Sequence, residues 1–141
     1  MKKILYLIII VSLFLIPVEK QDVGTLEPVQ AVWLRAQDGM VVLETDTEDF
    51  GTGKTVTAAL ENMKEQSHGI IYLDTAQFLM VSEDAVDRIP ELRPYLKNSV
   101  KACLRTGQGT VADGAKYMQA HEIGIPLRRW NLQENLPNLP V

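Results

Sequence analysis

Cysteine is nearly absent from this sequence: Cys103 stands alone among 141 residues. One thiol closes no disulfide within the chain, so the cysteine-rich frameworks of small stapled domains and of zinc or iron–sulfur sites are excluded. Cys103 lies in a stretch of alternating apolar residues, which points to a buried structural thiol. Histidine is as scarce, with only His68 and His121. Two distant histidines and one cysteine do not supply the three or four ligands of a zinc site. Ser67 beside His68 is no catalytic triad, because the base must face the serine and be held by an acid. Basic clusters are missing too. Removing Lys2 and Lys3 leaves 12 Lys and Arg against 18 Asp and Glu in residues 19–141, a net charge of −6. An acidic body without a basic stripe excludes a nucleic-acid partner, since phosphate binding needs clustered Lys and Arg. Long charge runs, low-complexity tracts and internal repeats are absent as well.

What the sequence does have is an N-terminal apolar run. Met1-Lys2-Lys3 precedes Ile4 to Val18, nearly all apolar. A positive start and then a hydrophobic core is the plan of a secretory signal, and the lysines place the body of the chain on the extracytoplasmic side. Ile16-Pro17-Val18-Glu19-Lys20 offers no small-x-small cleavage site. Residues 1–18 are therefore expected to serve as an uncleaved signal anchor, a short transmembrane helix holding the chain to the cell membrane through residues 4–18. Cleavage and secretion is the alternative. Residues 19–26 read as a tether, 27–121 as a single domain and 122–141 as a loose, proline-rich tail.

Within the domain, a β-prone stretch over 28–37 meets Asp38-Gly39, a strong two-residue hairpin signal, and returns over Met40–Thr45. Residues 46–53 read as a polar loop ending in glycines suited to positive φ. Thr55 is an N-cap for a helix carrying Val56, Ala59, Leu60 and Met63 at the spacing of one apolar face, which ends at Ser67-His68-Gly69. Ile70–Leu73 and Phe78–Val81 are continuous apolar runs, as central strands have. Ser82 is placed to cap a helix with Glu83 and Asp84 in its first turn, and Pro90 to stop it. A short helix over about 91–97 comes next. Val100, Ala102 and Leu104 alternate with Lys101, Cys103 and Arg105, as in a half-exposed strand. Gly107 and Gly109 turn the chain, and Thr110 caps a last helix with Val111, Ala115 and Met118. The fold class is α/β (α+β): a small mixed β-sheet with an N-terminal hairpin and three to four packed helices.

The candidate sites are few. Gly51-Thr52-Gly53-Lys54-Thr55 ends like a P-loop, but Glu48 stands where the first glycine is required, and a carboxylate there repels phosphate. Asp46, Glu48 and Asp49 form a candidate cation loop: with Asp46 first, Gly51 is sixth as a calcium loop needs, but Phe50 holds the fifth position and Thr57 the twelfth. Trp130, with Arg128 and Arg129, is a candidate surface for a partner protein. No cofactor motif is complete, and no catalytic constellation is.

The Gly53–Leu60 helix start, Ile70–Leu73 running through Phe78–Val81 into Ser82-Glu83-Asp84-Ala85, and the strand and helix of Val100–Met118 keep one order of elements. That order resembles the N-terminal domain of Ger(x)C-type spore germination proteins, normally lipid-anchored subunits of germinant receptors, over residues 27–120. The lipidated cysteine and the larger C-terminal part of those proteins have no counterpart here. The resemblance implies a Gram-positive spore former and a non-enzymatic, membrane-tethered interaction domain in a sporulation or germination assembly. The residues alone leave open a second reading, a secreted or tethered module that binds a ligand or cation.

Overall fold

The computed structural model describes residues 2–15, 26–67, 70–131 and 135–140. The expected tether, apart from Leu26, and His68-Gly69 at the expected helix end lie outside them. Helix α1 (Lys2–Leu15) opens on two lysines, and the apolar side chains of Ile4–Val11 are exposed. Its 14 residues rise ~21 Å, against ~30 Å of bilayer hydrocarbon. Among the described residues no helix is long and apolar enough to cross a membrane, which corrects the expected transmembrane helix.

The body is a mixed α+β fold. Strand β1 (Leu26–Pro28) runs almost directly into β2 (Ala31–Gln37), which turns through Asp38-Gly39 into β3 (Met40–Thr45). Both turn residues have positive φ, 54° and 77°, as the expected hairpin demands. A short loop leads to β4 (Phe50–Gly53) and helix α2 (Val56–Gln66). Then come β5 (Ile70–Tyr72), a single 3₁₀ turn, and β6 (Phe78–Val81). A 3₁₀ segment (Glu83–Arg88), α3 (Ile89–Leu92) and a further 3₁₀ turn (Arg93–Tyr95) lead to β7 (Lys101–Arg105). Helix α4 (Val111–His121) and two short strands, β8 (Ile125–Pro126) and β9 (Asn138–Leu139), complete it.

The main sheet has the order β4-β3-β2-β6-β7, with β8 and β9 sharing the outer edge of β7. Strands β2, β6 and β7 are parallel, and the hairpin is antiparallel. The register sets Glu44, Trp33, Met80 and Cys103 in one row across four strands. Helices α2 and α3 cover the face carrying Val32, Leu34, Leu43, Leu79 and Val81. Helix α4 covers the other, through Val111, Ala115 and Met118 on Ala31, Trp33, Met80 and Cys103. Each large apolar side chain buried this way contributes ~1.5–3 kcal/mol.

Several sequence expectations give way to this arrangement. Strand β5 is no central strand: it pairs only with β1, in a separate two-stranded parallel sheet, and Tyr72 is exposed. Residues 50–53, expected as loop, form the edge strand, and their glycines do not have positive φ. They are glycines because α2 lies against them: a Cβ on Gly53 would sit 2.5 Å from the Ala59 backbone nitrogen. Helix α2 also covers the edge itself, since Thr52 N donates to Asn62 Oδ1 at 3.0 Å. Ser82 makes no side-chain cap, and Pro90 lies in the first turn of α3, where its missing N–H costs nothing. The described part of the expected loose tail packs against the body. Leu127, Trp130, Leu136 and Leu139 are buried, and β8 and β9 are hydrogen-bonded to β7.

Candidate functional site

Open parallel sheets gather ligands beyond the carboxyl ends of their strands, where the connecting loops splay apart. Here those ends belong to β2, β6 and β7. The side chains that converge there, on the α4 face, are Trp33 and Arg35 from β2 and Arg105 from β7. Strand alternation puts Trp33 and Arg35 on the same face, two residues apart. Arg105 reaches them because it is the last residue of β7.

Both guanidinium carbons lie 4.4 Å from the centroid of the Trp33 ring, within cation–π range. Trp33 is 8 % exposed and Arg105 only 1 %. Arg105 Nη2 donates to the Thr110 carbonyl at 2.9 Å, tying the β7–α4 loop to the stack. Burial pulls the Arg105 guanidinium below its ordinary pKa, and the negative charges available at Cys103, Glu44 and Asp113 oppose that. Arg35 is 28 % exposed and pairs with Glu44 at 3.0 Å. Two buried donors near this surface, Trp33 Nε1 and Arg35 Nε, have no hydrogen-bond partner among the described residues.

Hollows open on two sides of this stack. One, of about 400 Å³, is bounded by Trp33, Arg35, Arg105 and Gln108, and by Glu83 and Asp84 beyond the end of β6. The other, of about 470 Å³, lies between Trp33, Arg35, Glu44 and the Gln108-Gly109-Thr110 turn. Trp33, Arg35 and Gln108 are common to both. The cleft thus has a donor-lined floor and, in Glu83 and Asp84, an exposed acidic rim.

The residues singled out from sequence lie elsewhere. Asp46 Oδ1 accepts from the backbone N–H of Gln30 at 2.9 Å and of Ala31 at 3.1 Å, so its carboxylate fastens the start of β2. Thr47 donates to Asp49 Oδ2 at 2.7 Å, and Glu48 turns the loop with φ 66°. Among the described residues no three His, Cys, Asp or Glu side chains stand together to hold a metal ion. Trp130 is 4 % exposed and belongs to the core under α2 and α3, which corrects the expected surface contact; Arg128 and Arg129 alone are exposed. His121 stacks on Tyr117 at 4.1 Å.

Arg105 is hidden in the sequence by the alternation of its strand, which reads as half-exposed. Both faces of β7 are in fact covered, Ala102 by one core and Cys103 by the other. The one local signal is the matching end of β2: both strands close an apolar stretch with arginine. Comparison with protein-family models, with curated proteins and with solved structures finds no match.

Proposed function

We propose that this chain is an extracytoplasmic binding domain, delivered by its N-terminal apolar segment, that contacts a partner protein through the cleft at the carboxyl ends of β2, β6 and β7. The observation that carries the reading is the stack of Arg35 and Arg105 on Trp33, with an open hollow on two sides. Aromatic and arginine side chains together are the commonest anchors of protein interfaces. An arginine as buried as Arg105 carries a desolvation cost that an ordinary strand end avoids. The resemblance in element order adds the setting, a sporulation or germination assembly of the Ger(x)C type.

Chain direction supports a tethered arrangement. From Leu26 the chain passes through β1 and then β2 to the hairpin at Asp38-Gly39. Strand β2 alone, at ~3.3 Å per residue, spans roughly 20 Å, so the cleft lies at the end of the sheet away from Leu26. The exposed apolar side chains of Ile4–Val11 in α1 support delivery to a membrane surface.

A photocrosslinking residue placed at Gln108, on the rim of both hollows, tests the reading in sporulating cells. One discrete adduct is expected from position 108 and none from Glu65 on α2, and Arg35→Glu should erase it. Adducts from Glu65 alone, or an adduct from 108 that survives Arg35→Glu, would remove the cleft from consideration.

A further inference from the structure

We infer that the cleft takes a carboxylate, an acidic side chain of the partner protein flanked by a basic residue. This rests on the reading of the cleft as a binding surface and adds the chemistry of what enters it. The side chains at its floor only donate. An indole N–H and two guanidiniums have no acceptor among them, so the entering group must bring lone pairs.

Two of those donors are specific. Trp33 Nε1 belongs to a side chain more than nine-tenths buried, and among the described residues it has no partner; Arg35 Nε is buried and has none among them either. Buried donors are nearly always satisfied, and each one left over carries a free-energy penalty that a bound acceptor removes. Both nitrogens are out of contact with solvent. The acceptor reaches them as the half-buried Arg35 side chain gives way, a rotamer change of one long side chain that leaves the strands in place.

The surrounding charge selects the kind of acceptor. Glu44 pairs with Arg35, and Glu83 and Asp84 form the rim of the hollow beyond β6. Three carboxylates so close disfavour a dianion such as phosphate, and a monoanion is repelled less. A cationic neighbour on the same segment would meet Glu83 and Asp84 while the carboxylate meets the floor.

The test is a titration of the ¹⁵N-labelled full chain in detergent micelles with the blocked tripeptide acetyl-Lys-Glu-Lys-amide. The chain has two tryptophans, so the indole signal of Trp33 reports and that of buried Trp130 is the internal control. Trp33→Phe identifies the signal and Arg35→Gln checks the site without touching the core. Expected is a saturable shift of the Trp33 indole with Trp130 unmoved, on the order of tenfold weaker for the Gln tripeptide and lost in Arg35→Gln. No shift, an equal shift of both indoles, or phosphate binding as tightly as the tripeptide overturns the inference. Acetate matching the tripeptide overturns its peptide part, since the basic flanks then contribute nothing. If the tripeptide fails while the Gln108 adduct persists and still depends on Arg35, the carboxylate inference falls alone. If the adduct is absent too, the binding reading falls with it.

Discussion

Gly51 of β4 and Ala59 of α2 meet backbone to backbone: a Cβ built on Gly51 would overlap the Ala59 carbonyl oxygen and crowd the Met63 backbone nitrogen at 2.7 Å. Gly51→Ala therefore has to lift the helix off the sheet. It is expected to cost about 3 kcal/mol, read from the midpoint of urea unfolding. Gly114→Ala in α4 is the contrast. Its Cβ would press the thioether of Met80, the movable end of a flexible side chain. The gain in helix propensity, ~1 kcal/mol, offsets that, so the net change should stay within about 1 kcal/mol.

The Arg105 guanidinium is held by the Thr110 carbonyl and by the Trp33 ring. Arg105→Ala removes both contacts and leaves a void. A loss of about 2–4 kcal/mol is expected from denaturant unfolding. Arg105→Met keeps most of the volume without a buried charge and should cost clearly less. Equal losses for the two variants would mean that the charge, not the packing, dominates.

Burial pushes the Cys103 thiol up to about 12 from an ordinary 9.0, and the nearby Arg105 charge only partly opposes it. From pH 9.0 towards about 12 the unfolded chain gives up the proton while the folded chain keeps it. Stability is then fully present below pH 9.0 and falls as pH rises through that window. Cys103→Ala should flatten the decline, measured by urea unfolding at stepped alkaline pH. A thiol reagent should leave the native chain untouched at neutral pH and label it once unfolded.

Asp46 commits one carboxylate oxygen to two backbone donors at the entrance to β2. Asp46→Ala should cost about 2 kcal/mol, and Asp46→Asn less, because the amide oxygen still accepts. Millimolar Ca²⁺ should leave the thermal midpoint of the unaltered chain unchanged. A rise that disappears in Asp46→Asn would restore the cation loop.

The parts legible from sequence are those settled by neighbours in the chain. Asp38-Gly39 specifies its own turn, and Thr55 and Thr110 each cap a helix by accepting from the N–H three residues on. The parts that escape a sequence reading depend on distant neighbours. Nothing local separates β5 from β6, as both are short apolar runs; the pairing of β5 with β1 and of β6 with β2 decides which is central. Arg105 is buried by Trp33 and α4, neither adjacent in sequence. Trp130 reads as surface because Arg128 and Arg129 precede it, yet those two are exposed while the ring turns into the core. The candidate site is illegible for the same reason: three strands have to be ordered before Trp33, Arg35 and Arg105 can be set side by side.

The bond from Thr52 N to Asn62 Oδ1 has a bearing on how copies of this chain meet. An open edge strand is a template on which another chain can lay down the next rung. Asn62 occupies one outward donor of β4, the N–H of Thr52. One rung of the hairpin edge is thereby taken, which works against the register another strand would need to extend the sheet there.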